Sequence, residues 1–193
     1  MKSDYYDKNS SAFIKQTLNA DMNDLYKSFL GCIPDGGDIL DAGCGSGRDA
    51  LAFKDLGYKV QAFDISPAMV TAARELTGLP VRQMSFQEMT YDCSFDGIWA
   101  CASLLHVPRK DLADVFNRLS RYLKQDGVLY ASFKYGDNER YKDERYFNDM
   151  NEVVFSEIIK DVPSLSKAMS TITGDVRPGR EAEKWLNLLI RKM

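Results

Sequence analysis

The chain has 193 residues, of which 45% are hydrophobic and 27% are charged, and its formal net charge is −3. This composition predicts a globular fold with a sizeable core and excludes wholesale disorder. The small acidic excess gives no general attraction to nucleic acid or to an anionic membrane. No apolar run approaches the roughly 18 residues of a membrane span, and the first residues lack a signal-peptide pattern. We therefore expect one cytoplasmic domain over residues 1–193, with no membrane partner.

The cysteine and histidine content argues against a metal site. The four cysteines form no C-x-x-C pair, and His106 is the single histidine. A structural zinc site needs about four such ligands at defined spacings, so we expect no metal and reduced thiols.

The first part of the chain predicts a helical cap over residues 1–35. Apolar residues recur with helical spacing from Phe13 to Leu30, and a stretch rich in glycine and proline from Gly31 onward ends the pattern.

Residues 38–136 alternate short apolar runs with amphipathic ones, which predicts strands followed by helices. The strands are expected over 38–41, 59–64, 79–84, 95–102 and 128–133, and the helices over 48–56, 67–77 and 108–123. Strands that alternate with helices favour parallel pairing with right-handed crossovers, so we expect an α/β fold.

Residues 137–193 have a different character. Dense charge over 137–146 predicts a mobile surface loop, with an ordered lid as the alternative, and a helix is expected over 147–159. Two strand-like runs, 165–173 and 184–190, are joined by too few residues for a helical crossover, so we expect them to pair antiparallel.

The stretch from Ile39 to Arg48 carries the strongest functional signal, an acid followed by three alternating glycines and a helix start. Glycine has no Cβ, so such a loop lets a polar, adenosine-containing ligand approach the main chain at a helix N-terminus. Asp64 lies 23 residues beyond Asp41 at the end of the next strand, where it can accept hydrogen bonds from both ribose hydroxyls. An ordinary tight turn and a surface or capping acid are the alternatives.

A dinucleotide cofactor would also use a glycine-rich loop and an acid at the end of the next strand, so it is an alternative ligand for this stretch. Its fingerprint is G-x-G-x-x-G, but this loop is G-x-G-x-G from Gly43 to Gly47, and no further glycine follows at Arg48, Asp49 or Ala50. This difference argues against pyrophosphate binding.

Three motifs in order resemble class I S-adenosylmethionine-dependent methyltransferases: Asp-Ala-Gly-Cys-Gly-Ser-Gly at 41–47, Phe-Asp-Ile-Ser-Pro-Ala-Met at 63–69 and Phe-Asp-Gly-Ile-Trp-Ala at 95–100. The chain is similar to the small-molecule branch, which includes tellurite-resistance-type and type 11 and type 12 enzymes. The resemblance implies a Rossmann-like three-layer sandwich, with a mostly parallel seven-stranded sheet and an antiparallel C-terminal strand pair. It also implies S-adenosylmethionine as cofactor and residues 38–136 as the cofactor-binding core.

The resemblance implies cofactor-binding residues at each motif. Asp41 and the loop backbone would hold the methionine portion, Asp64 the ribose, and Ile65 and Met69 the adenine, although Met69 is also a candidate core residue. The implied set is Tyr6, Phe13, Asp41, Gly43, Cys44, Gly45, Gly47, Asp64, Ile65, Met69, Met84, Ser85, Phe86 and Cys101.

Some of these positions depart from the family pattern or have plain alternatives. Ser85 stands where the family usually has an acid that reads the adenine amino group, which leaves that task to backbone groups and Phe86. The main chain at Cys101 would contact the sulfonium end of the cofactor, whereas the thiol of Cys101 would have no part in the reaction. A nucleophilic thiol is the alternative. Tyr6 and Phe13 match an aromatic segment that closes over the cofactor, and helix packing is their alternative.

His106 is the candidate catalytic residue. Family members often have two histidines here, and Leu105 replaces the first. His106 would act as a general base, since its unperturbed pKa lies near neutrality, or it would be structural and fix the loop before the helix.

The candidate substrate residues are Lys134, Arg177 and Arg180, because ligands of this fold collect at the carboxyl ends of the strands. The two arginines would bind an anionic group through paired hydrogen bonds. A turn held by an ion pair between Asp175 and an arginine is the alternative.

We therefore expect in-line methyl transfer to a small nucleophile with an N, O, S or metalloid lone pair. Methylation of tRNA or protein is an alternative, but the acidic pI of about 5.3 and the lack of a basic patch make nucleic acid an unfavoured partner. A non-catalytic cofactor-binding protein is a further alternative.

Overall fold

The structure, a computed structural model, describes residues 4–177, 179–180 and 182–193, without the side chains of Asp4, Ser11 and Phe13. The helices are α1 (Asp4–Thr17), α2 (Asn23–Leu30), α3 (Arg48–Asp55), α4 (Pro67–Thr77), α5 (Leu112–Tyr122) and α6 (Glu152–Ile159). The strands are β1 (Asp38–Ala42), β2 (Lys59–Asp64), β3 (Arg82–Gln83), β4 (Phe95–Ala100), β5 (Leu123–Lys134), β6 (Glu139–Lys142), β7 (Arg145–Asn148), β8 (Leu165–Gly174) and β9 (Lys184–Lys192).

Seven strands form one sheet in the order β3-β2-β1-β4-β5-β9-β8. The strands from β3 to β5 run parallel, whereas β9 is antiparallel to both β5 and β8. The α/β Rossmann-like fold and the antiparallel strand pair are thus confirmed. The strand order reverses between β1 and β4, and the crevice at such a reversal is where open α/β sheets bind ligands.

The sheet buries apolar side chains on both faces, which explains its near-continuous apolar strands. Ile39 and Trp99 pack with residues of α2, α3 and α4, whereas Leu40 and Ile98 pack with residues of α5 and α6. Within the described ranges, no helix has the length and apolar character needed to cross a membrane.

The N-terminal helical segment differs from its prediction. It is interrupted between α1 and α2, where the sequence pattern predicted continuous helical spacing. The side chain of Asp21 accepts a hydrogen bond from the N–H of Asn23 at 3.0 Å, which favours a new helix start over continuation.

Residues 137–146, predicted as a mobile surface loop with an ordered lid as the alternative, contain strand β6 and the start of strand β7. β6 and β7 pair antiparallel as a hairpin, and Arg140 donates two hydrogen bonds to the carboxylate of Asp149, at 2.7 and 2.9 Å. The helix predicted from 147 begins only at Glu152, because the side chain of Asn151 caps it by accepting from the N–H of Val154 at 2.9 Å.

Strand β3 is also shorter than the predicted strand over 79–84. It contains only Arg82–Gln83. Pro80 has no N–H to donate to a sheet ladder, so pairing cannot extend regularly back to Leu79.

Candidate functional site

The loop between β1 and α3 follows a backbone path that requires glycine at two points. Gly43 has φ +77° and Gly47 has φ +86°, both in the left-handed region. A Cβ on Gly43 would lie 2.5 Å from the Cβ of Ser103, and one on Gly47 would lie 2.8 Å from Cγ2 of Thr77. Side chains are therefore excluded here, and the main chain from Gly43 to Ser46 lines a cavity directly.

Asp64 joins this loop to the start of α4. Its Oδ2 accepts from the N–H of Gly45 at 2.8 Å, and its Oδ1 accepts from the N–H of Ser66 at 2.9 Å. Burial raises the pKa of Asp64, while these backbone N–H groups act in the opposite direction. Asp64 also lines the cavity, and each carboxylate oxygen has a further lone pair, so the group suits two neighbouring hydroxyls.

The cavity has a volume of about 670 Å³ and extends from the glycine loop to the end of β4. It brings together most of the residues predicted from sequence. These are Tyr6, Gly43, Cys44, Gly45, Asp64, Ile65, Met69, Met84, Ser85, Phe86, Cys101 and His106.

Asp41 and Gly47, also predicted to bind the cofactor, are not among the described residues that line this cavity. Gly47 shapes the loop, and the side chain of Phe13 falls outside the described residues. Asp41 is only 2% exposed, and its Oδ2 has no hydrogen-bond partner among the described residues. Burial and the neighbouring Asp49 raise the pKa of Asp41 well above its ordinary value, which favours the uncharged acid. Its contact with a methionine group stays a prediction.

A buried ion pair at the start of α3 was missed by the sequence analysis. Arg48 donates to Asp49 at 2.6 and 2.9 Å, and Asp49 also accepts from Nε1 of Trp99 at 2.9 Å and from the hydroxyl of Tyr26. Burial disfavours the charge on Asp49, but Arg48 and these hydrogen bonds outweigh it and lower the pKa of Asp49. The available signal was an acid in the first turn of a helix, where an acid is favourable.

His106 connects α1 to the β6–β7 hairpin. Its Nδ1 lies 2.7 Å from the main-chain oxygen of Tyr146, which can only accept, so we assign the ring proton to Nδ1. Nε2 then accepts from the hydroxyl of Tyr6 at 2.7 Å. Burial lowers the pKa of His106 to about 4, so the ring is uncharged near neutral pH with both nitrogens engaged.

The cysteines in the cavity wall are poor nucleophiles. Burial raises the pKa of Cys101 to about 12 and raises that of Cys44 well above its usual range. The thiols therefore stay protonated near neutral pH, which agrees with an incidental Cys101 side chain. In the part of the chain that the structure describes, no three histidine, cysteine or acidic side chains are grouped to hold a metal ion.

A second cavity of about 160 Å³ adjoins the first, and Tyr6, Cys101 and His106 line both. The three predicted substrate residues, Lys134, Arg177 and Arg180, line this second cavity.

Two of these cations are paired with one buried acid. Arg177 donates to Asp175 from Nε at 2.8 Å and from Nη2 at 2.5 Å, and Nζ of Lys134 lies 3.1 Å from the same carboxylate. Despite burial, these donors lower the pKa of Asp175. The ion-paired turn, given above as the alternative to an anion site, is therefore present.

Comparison with known proteins agrees with the fold. Residues 39–127 match a family model described as a methyltransferase domain. The chain is 30% identical over 115 residues to an uncharacterised methyltransferase of Staphylococcus carnosus, covering 58% of this chain and 56% of that protein. It is 33% identical over 105 residues to a ubiquinone biosynthesis O-methyltransferase of Xanthomonas oryzae pv. oryzae, covering 50% and 43%. The chain thus spans about half the length of these curated relatives.

Two solved structures share the fold over nearly the whole chain. The 1,6-didemethyltoxoflavin-N1-methyltransferase of Burkholderia thailandensis has a TM-score of 0.76 at 21% identity, covering 98% of this chain and 84% of that one. Magnesium protoporphyrin IX methyltransferase of Synechocystis PCC 6803 has a TM-score of 0.75 at 16% identity, covering 99% and 98%. Both contain bound S-adenosylhomocysteine. Residues 39–127 thus match a methyltransferase domain, and the chain is similar to class I S-adenosylmethionine-dependent methyltransferases in sequence and in fold.

Proposed function

We propose that the chain binds S-adenosylmethionine in the larger cavity and transfers its methyl group to a small-molecule nucleophile in the smaller one. The observation that carries this proposal is the pair of adjoining cavities, which meet at Tyr6, Cys101 and His106. When bound, S-adenosylmethionine supplies an electrophilic methyl group on a sulfonium.

The residues of the larger cavity fit this cofactor. The loop at Gly43 leaves no room for a Cβ, so main-chain groups are offered to a polar ligand, and Asp64 offers its carboxylate to the ribose hydroxyls. Phe86 packs edge-to-face on Phe63, with ring centroids 5.2 Å apart, in an apolar wall suited to adenine. The hydroxyl of Ser85 donates to Glu88 at 2.7 Å, which supports adenine recognition by backbone groups and Phe86.

His106 serves this reaction best as a positioning residue. Displacement at a sulfonium methyl depends mainly on the alignment of donor and acceptor. A histidine whose pKa is about 4, and whose Nε2 already accepts from Tyr6, is a weak general base at neutral pH. The main-chain oxygen of Tyr146 instead fixes the ring of His106, and Nε2 of that ring holds the hydroxyl of Tyr6 where the cavities meet. General-base catalysis by His106 is the alternative that a pH profile distinguishes.

A small acceptor is favoured over tRNA or protein. The smaller cavity holds about 160 Å³ and is lined by side chains of α1, the β6–β7 hairpin and the turn before β9. The relatives in ubiquinone biosynthesis and in methylation of 1,6-didemethyltoxoflavin also point to small acceptors.

Titration calorimetry with S-adenosylmethionine and S-adenosylhomocysteine tests the cofactor site. We expect Asp64→Ala to weaken both by about tenfold or more, because it removes the ribose acceptor and frees the N–H of Gly45. The control is Asp55→Ala, which removes an exposed acid at the end of α3. Tight NAD binding by the unchanged protein would overturn the assignment.

Turnover is then tested with labelled S-adenosylmethionine against pools of small metabolites and of tRNA. Methyl transfer to a metabolite supports the proposal, and transfer to tRNA supports the alternative. Cofactor binding without transfer to either pool would favour a non-catalytic protein.

A further inference from the structure

Cationic side chains outnumber acidic ones in the lining of the smaller cavity, although the chain as a whole is acidic. Among the described residues, seven lysine or arginine side chains and two acidic ones line it, against a net charge of −3 for the chain. Several of these cations are held by buried acids: Arg177 by Asp175, and Arg140 by Asp149. Those pairs form the wall and leave little charge for a ligand.

Arg145, in the first position of β7, is held differently. Its side chain is only 19% exposed, and its ion pair, at 3.6 Å, is with Asp143, whose side chain is 59% exposed. Its Nε is buried and has no hydrogen-bond partner in the part of the chain that the structure describes. A buried cationic donor without an acceptor is unfavourable unless a ligand supplies one.

Aromatic rings fix the guanidinium of Arg145. Its central carbon lies 4.0 Å from the ring centroid of Tyr5 and 5.1 Å from that of Phe147. Arg145 lines both cavities, so the rings hold a planar, cationic fork beside the point where they meet. Such a fork matches the two oxygens of a carboxylate.

The size and walls of the smaller cavity suit one aromatic ring. Its volume of about 160 Å³ is close to that of a cavity of about 150 Å³ known to hold benzene. Apolar and aromatic side chains form part of the wall: Tyr6, Met22, Leu25, Leu105, Phe147 and Trp185.

We propose that the methyl acceptor is a small aromatic acid, with its ring in the smaller cavity and its carboxylate bound by Arg145. This inference rests on the proposed function, since it names the acceptor class for that site. It assigns anion binding to the β6–β7 hairpin, whereas the turn containing Arg177 serves as a wall.

The test uses protein loaded with S-adenosylhomocysteine and a panel of hydroxy-, amino- and mercaptobenzoates, each paired with its carboxamide. By titration calorimetry we expect at least one acid to bind about tenfold more tightly than its amide, because only the acid pairs with Arg145. Arg145→Met should abolish this preference, whereas Arg145→Lys should keep a weaker preference because it keeps the charge. Arg121→Met, which changes an exposed arginine on α5, is the matched control and should leave the preference unchanged.

The binding of S-adenosylhomocysteine and the melting temperature are measured first for every variant, so that a folding defect is not read as lost recognition. The proposal is overturned if no acid binds the loaded protein, if acids and amides bind equally, or if Arg145→Met keeps the preference. Failure of the unchanged protein to bind S-adenosylhomocysteine would count against the proposed function itself.

Discussion

The two cavities are built from different kinds of contact. In the larger one, backbone groups set the geometry. Gly43 has no room for a side chain, and the N–H groups of Gly45 and Ser66 hold the carboxylate of Asp64. In the smaller one, side chains from distant segments meet, as when Lys134 and Arg177 share Asp175. A site formed by the backbone depends on local spacing, whereas a site formed by charged side chains depends on which partners the fold brings together.

The largest effect on stability and on cofactor affinity should come from a substitution in the glycine loop of the larger cavity. We expect Gly43→Ala to cost about 3–4 kcal/mol of stability, because it adds left-handed strain and forces a Cβ to within 2.5 Å of the Cβ of Ser103. S-adenosylmethionine binding should fall by about a hundredfold, since the loop must move. Urea denaturation and titration calorimetry measure the two quantities.

Gly57→Ala is the matched control for that change. Gly57 has φ +90°, but a Cβ there would meet nothing within 4 Å. Gly57→Ala should therefore lower the free energy of unfolding only by the strain of a left-handed alanine, about 1–2 kcal/mol, and should leave cofactor binding unchanged. Equal effects of the two substitutions would show that close approach of the loop to Ser103 is unimportant.

A somewhat smaller effect is expected from breaking the wall of the smaller cavity. Asp175→Asn should destabilise the protein by about 3 kcal/mol at pH 7, because it leaves Arg177 without its buried counter-charge and Lys134 with Glu183 as its remaining acidic partner. Cofactor affinity should stay within about threefold, since Asp175 does not line the larger cavity. Asp55→Asn, which changes an exposed acid at the end of α3, is the control.

The same substitution has a pH signature. The folded state holds the pKa of Asp175 below its unfolded value, so the stabilisation is present above about pH 4 and is lost as the pH falls further. Urea denaturation of the unchanged protein between pH 5 and pH 2 should therefore show a loss that Asp175→Asn partly lacks. If the free energy of unfolding changes with pH in the same way in both proteins, the carboxylate of Asp175 does not cause the loss of stability.

The smallest effect on stability should come from the titration of His106, which lines both cavities. Burial lowers its folded pKa to about 4, below an unfolded value near 6.5, so the unfolded state binds the extra proton first. Stability should then fall by about 2 kcal/mol as the pH drops from 6.5 to 4, and His106→Gln should lack that loss. Denaturation across this pH window is the measurement.

Measurements of turnover distinguish the two candidate roles of His106, a positioning residue and a general base. A positioning residue predicts that His106→Gln retains turnover within about tenfold, with no titration near pH 6–7 in the profile of kcat. Tyr6→Phe should produce a similar change, because it breaks the same hydrogen bond. A loss of a hundredfold or more in His106→Gln alone, together with loss of a titrating group, would favour the general base instead.

Much of the core and the cofactor site could be predicted from sequence because their signals are local. Ser66 and Pro67 start α4 as expected, with the hydroxyl of Ser66 accepting from the N–H of Met69 at 3.2 Å. The hairpin was missed because its two short strands show no alternation of apolar and polar residues. Strand β6 is charged apart from Tyr141, and in β7 Tyr146 and Phe147 are adjacent, so the period of two that indicates a strand is absent.

By itself, the sequence determined the strand–loop–helix unit at residues 38–55 and the class of ligand that it suits. Glycine spacing and an acid at each strand end act within a few residues of chain, so no distant partner is needed to interpret them. The tertiary structure alone decided which charges are available to a second ligand. Arg177 is paired with buried Asp175 and Arg145 lies among rings, because the partner of a charged side chain is set by the segments that pack around it. The same holds for Tyr6 and His106, which form a hydrogen bond although 100 residues separate them.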